Sequence, residues 1–143
     1  MLSKSFIFGS VIGCTLIAVC AFADDKKSGY DTSKLPPAST KADVTYATDI
    51  QPIFAKSCYP CHGPKTPKPK GKLRLDTLEL TLKGGEDGAA VVPKDIAGSP
   101  LLGDVAHLGD DDDYMPPLKK KDIAPLTPEQ VGLIRAWIEQ GAK

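Results

Sequence analysis

The chain has 143 residues, with 18 Lys and Arg set against 18 Asp and Glu, 41% hydrophobic and 25% charged. That length and balance suit one globular domain. A formal net charge of zero excludes association through bulk charge, with nucleic acid or with an anionic membrane surface.

The N-terminus opens with Lys4, and the chain from Ser5 to Phe22 is apolar or small and uncharged. Ala21-Phe22-Ala23 closes that run, and Asp24-Asp25-Lys26-Lys27 follows at once. This is the layout of a secretory signal peptide, with cleavage expected after Ala23. An uncleaved anchor remains the rival reading, since the run approaches the ~18 residues a span requires. Val11-Ile12-Gly13-Cys14 resembles a lipobox, but the sequence stays apolar after Cys14, where a lipoprotein turns polar. The expected location is therefore periplasmic or secreted. The chain divides into a signal peptide at 1–23, a flexible leader at 24–43 and one domain at 44–143. Cleavage removes Cys14 and Cys20 and leaves Cys58 and Cys61 in an oxidising compartment.

The leader is polar, holds Pro36-Pro37 and has little to bury. From Thr48 the chain reads TDIQPIFAKSC. Thr48 and Gln51 have capping-box spacing, and Pro52 falls in the first turn. Ile50, Ile53, Phe54 and Cys58 share a helical face. A short helix is thus predicted to deliver Cys58 on its apolar side. Residues 63–72, rich in Pro, Gly and Lys, read as an extended loop. Asp76 or Thr77 caps a short helix ending at Gly84-Gly85. Ala89 to Val92 is a brief apolar run closed by Pro93. Ser99-Pro100 starts another short helix over 100–108, and Asp110 to Asp113 reads as a solvated acidic loop, with cation binding as its alternative. Thr127-Pro128-Glu129-Gln130 combines an N-cap, a proline at N1 and a capping-box partner. Val131, Ile134 and Ile138 line one face of the last helix, and Gly141 is its expected stop.

The chemistry concentrates in Cys58-Tyr59-Pro60-Cys61-His62. Four readings compete for this motif. C-x-x-C-H is the attachment signature of c-type haem: two thiols bond to two vinyl groups, and the adjacent His62 becomes an iron ligand. A thioredoxin-like redox pair would need a βαβ unit, and none is legible. Zinc would need a further ligand, with His107 the only other histidine. A structural disulfide is the fourth. The haem reading asks for a sixth ligand, and Met115 in Asp113-Tyr114-Met115-Pro116-Pro117 supplies a soft thioether on a proline-stiffened loop. Its surroundings, four aspartates and three lysines, are unlike the apolar face a core methionine occupies. His107 is the rival ligand.

The ordered pieces DIQPIFAKSCYPCHGP, KLRLD, GGEDGAAVVP, SPLL, MPP and LTPEQVGLIRAWIEQGA together resemble a class I cytochrome c domain, and more narrowly the planctomycete-type cytochrome c domain. The resemblance spans about residues 44–142. It implies an all-α fold in which the first and last helices cross beside one covalently bound haem c. It matches Cys58 and Cys61 to the thioether positions, His62 to the proximal ligand and Met115 to the distal one. It also suggests that Gly63 permits a tight turn beside the ring, that Arg74 pairs with a haem propionate and that Trp137 packs on the cofactor or donates its indole N–H to it. Members of that family often carry large additional domains, whereas this sequence ends after the cytochrome segment.

The expected function is that of a monohaem electron carrier rather than an enzyme, working between redox partners in the cell envelope. The alternatives are the electron-accepting subunit of an envelope dehydrogenase and a non-haem metal or disulfide module. Lys65, Lys68, Lys70 and Lys72, with Lys119, Lys120 and Lys121, form a basic rim for an acidic redox partner if both loops border the haem edge.

Overall fold

The computed structural model describes residues 29–143. The signal-peptide reading, with Cys14 and Cys20, lies outside them. Thr45 starts the helical segment that leads to the motif: its side chain accepts from the Thr48 N–H, and its own N–H donates to Asp49 Oδ2 at 3.0 Å. The cap is therefore Thr45 and not Thr48, three residues earlier than the sequence signals. A wide π-type turn at Tyr46–Ile50 then leads into α1, Gln51–Ser57. Gln51 plays no capping part, since its amide donates to the Asp76 carbonyl at 3.1 Å.

Helix α2, Tyr59–His62, is a single turn holding the motif. It is followed by a loop with a 3-10 turn at Lys70–Lys72. Helix α3, Leu78–Lys83, has Thr77 as its N-cap and stops at Gly84, where φ is 79°. Helix α4, Pro100–Val105, is shorter than the span from 100 to 108 predicted for it. Ser99 precedes it but makes no capping bond. Its hydroxyl instead accepts from the Val92 N–H at 2.9 Å and donates to the Asp95 carbonyl at 2.6 Å, closing the 92–95 turn. Helix α5, Pro128–Glu139, shows the full Thr127–Gln130 capping box and ends at Gly141, with φ 103°.

Among the described residues there is no β-strand; isolated bridges join Gly85 to Gly88 and Val92 to Asp95. The core forms where α5 meets the 46–57 helical segment. Ile50, Phe54, Ile134, Trp137 and Ile138 are fully buried there. Tyr46 stands between Phe54 and Trp137, with ring centroids 6.2 and 6.0 Å away. The two ends of the domain are thereby fastened: the Tyr46 N–H donates to the Lys143 carbonyl at 2.7 Å, and the Val44 N–H to Gln140 Oε1 at 2.9 Å.

Residues 29–43 differ from the expectation of a leader with little to bury. Leu35 is buried. The Tyr30 hydroxyl donates to the Ile96 carbonyl and its ring lies where a side chain on Gly103 would stand. The Ser39 N–H donates to the Gly132 carbonyl at 2.9 Å, and Arg135 donates to the Pro36 carbonyl at 3.0 Å. The segment is a strap laid over α4 and α5. The sequence hides it because a few anchors, rather than a periodic apolar face, hold it in place.

Candidate functional site

Helix α1 ends at Cys58, whose N–H donates to the Phe54 carbonyl at 2.8 Å. The chain then turns once more, and the His62 N–H returns to the Cys58 carbonyl at 2.8 Å. That single turn brings Cys58, Cys61 and His62 onto the lining of one cavity of about 810 Å³, within the range of small-molecule sites. Gly63 closes the turn, and a Cβ there would stand 2.5 Å from Tyr59 Cβ, so the tight turn expected of it is present.

His62 is buried, and its Nδ1 lies 3.1 Å from the Leu73 carbonyl. A carbonyl only accepts, so Nδ1 carries the proton and Nε2 keeps the free lone pair. Burial pulls the imidazole below its ordinary value, against the pull of the Leu73 bond. The neutral ring is the form that ligates a metal. Both thiols are free, and burial, reinforced by Cys61, pushes the Cys58 thiol up to about 12. A redox-active pair needs the opposite shift, towards thiolate.

Met115 lines the same cavity, and so do Leu73, Leu75 and Val105. The Met115 N–H donates to the Asp104 carbonyl at 3.0 Å, which ties the methionine loop to α4. Gly85, Ala89 and Ala90 contribute small surfaces that leave the interior open. Asp104 also lines the cavity; burial, with the nearby Asp113 charge, raises its carboxyl to about 7. Neither it nor the aliphatic lining was singled out from the sequence. Asp104 sits in a short helix whose pattern gives no sign that one turn faces a cavity.

Two expected site residues stand off the cavity lining. Arg74 does not line the cavity; its guanidinium donates to the Gly63 and Thr66 carbonyls, both at 3.0 Å, and lies 3.8 Å from Asp76. Trp137 does not line it either. The indole is fully buried between helices, and its Nε1–H donates to the Lys143 carbonyl at 3.0 Å. His107, the rival ligand, stacks on Tyr114 with centroids 4.7 Å apart and lies off the cavity lining. Among the described residues, no group of three or more His, Cys, Asp or Glu is placed to hold a metal ion, so neither the zinc reading nor a cation site at Asp110 to Asp113 gains support.

The lysine loops meet the cavity through one residue each, Lys70 and Lys120. Lys72 is paired with Glu86 at 3.3 Å, and Asp87 and Asp113 share the lining, so the rim is mixed rather than uniformly basic.

The donor set fits a covalently held haem: two free thiols, a neutral imidazole with one committed nitrogen, and a thioether on the same apolar cavity. No helix among the described residues is long and apolar enough to cross a membrane. No curated protein and no solved structure matches the chain. Residues 58–119 do match the family described as Planctomycete cytochrome C, so that segment is similar to this family.

Proposed function

We propose that the chain is a monohaem c-type cytochrome that passes single electrons between protein partners in the cell envelope. The observation that carries this reading is the convergence of Cys58, Cys61, His62 and Met115 on one cavity, with the imidazole tautomer already fixed. Cys58 and Cys61 would hold the group through thioether bonds, their S–H bonds adding across its two vinyl groups with no external oxidant. His62 would ligate through Nε2 and Met115 through sulfur. When bound, haem c supplies the one-electron redox step.

The protein excludes water with Leu73, Leu75 and Val105 and presents Lys70 and Lys120 at the rim. Those two lysines, backed by Lys119 and Lys121, steer an acidic redox partner, an effect that raises on-rates and fades with salt. Reduced and oxidised absorption spectra test the reading on protein made with a cytochrome c maturation system. A sharp reduced α band with a weak far-red oxidised band is the expected result. A colourless protein would overturn it, and a haem spectrum lacking the far-red band would remove Met115.

A further inference from the structure

The segment from Leu73 to Asp76 is bonded to the C-terminal end of the haem-motif turn and to the chain that follows it. The Leu73 carbonyl takes the His62 Nδ1–H, and the Leu75 N–H donates to the His62 carbonyl at 2.9 Å. Between these two backbone contacts, the Arg74 side chain reaches the next stretch of chain. Its two terminal nitrogens each donate to a different carbonyl, Gly63 and Thr66. The fork geometry of a guanidinium is what allows one side chain to hold two acceptors in fixed relation. Asp76 stands 3.8 Å away, its side chain only 15% exposed, as the counter-charge. The Asp76 carbonyl is itself held by Gln51 from α1.

We propose that Arg74 is a positioning residue for the proximal ligand: it clamps the 63–66 loop to the 73–75 segment and thereby fixes the His62 imidazole and the strength of its Nδ1–H bond to Leu73. This rests on the haem reading above. A firm Nδ1–H bond makes the imidazole a better donor and sets the ring plane. A better donor favours oxidised iron, so a weaker clamp raises the reduction potential.

The test compares Arg74→Lys and Arg74→Gln with the parent holoprotein, by redox titration and by the pattern of haem methyl resonances in the oxidised NMR spectrum. Lys keeps the charge but lacks the planar fork. The expected result is a raised potential and an altered methyl pattern in Arg74→Lys. A role through charge alone would leave Arg74→Lys at the parent potential and lower only Arg74→Gln, and that outcome overturns the proposal. If neither variant folds, the reduced parent protein decides. Separate, slowly exchanging guanidinium resonances for Arg74 support the clamp, and a freely rotating guanidinium overturns it. A parent protein without haem would sink the functional reading before Arg74 is touched, so the two failures are distinct.

Discussion

At the scale of single residues, Met115 and Asp49 show how local chemistry fixes behaviour. Met115 is tied through its N–H to Asp104 on α4, so its sulfur is presented by a braced loop. A thioether ligand raises the reduction potential of haem iron. On the haem reading proposed above, Met115→Ala is therefore expected to lower the potential and open the sixth position to small ligands such as imidazole; titration of the oxidised spectrum with imidazole checks it. Asp49 accepts from Lys41 Nζ and from the Thr45 N–H, and these bonds hold its carboxyl down at about 2. Between the ordinary carboxylate value and that depressed one, the unfolded chain binds a proton that the folded chain does not. Stability from Asp49 is thus full above about pH 4 and is lost as pH falls towards 2. Denaturant midpoints at several acidic pH values should fall less steeply in Asp49→Asn than in the parent.

At the scale of elements, the sequence was most informative where one residue type does one job. Thr127, Pro128 and Gln130 announced α5, and the capping box is present with the Gln130 side chain returning to the Thr127 N–H at 2.9 Å. Thr127→Ala should cost about 1 kcal/mol, visible as a lowered denaturation midpoint. Thr77 and Gly84 bounded α3 equally well. Thr48 misled because Thr45 offers the same hydroxyl three residues earlier, and Asp49 completes that earlier cap. Ser99 misled because a hydroxyl beside a proline can serve a neighbouring turn as well as its own helix. For the site, Cys58, Cys61, His62 and Met115 were legible because spacing and side-chain chemistry mark them directly. Arg74 was legible as a charged residue near the motif, but its bonds to the Gly63 and Thr66 carbonyls were not, since two backbone carbonyls leave no trace in a sequence.

At the scale of the whole molecule, the strap over residues 29–43 adds a layer to a core already closed by α1 and α5. Its contact with α5 is tight at Gly132, where a Cβ would run into the Pro37 carbonyl. Gly132→Ala is expected to lift the strap at a cost of about 1–3 kcal/mol, the usual penalty for overpacking. The Ser39 amide, bonded to the Gly132 carbonyl, should then exchange with solvent faster than in the parent while the Phe54 amide in α1 remains protected. Equal protection of Ser39 in both proteins would show that the helix yields and the strap does not.

The strap also reaches the site. Gly29 lines the cavity alongside Met115, so this end of the strap contributes to the cavity wall. The Lys143 carbonyl is already claimed by Tyr46 and Trp137. An affinity handle for kinetic work belongs on an exposed loop remote from both ends.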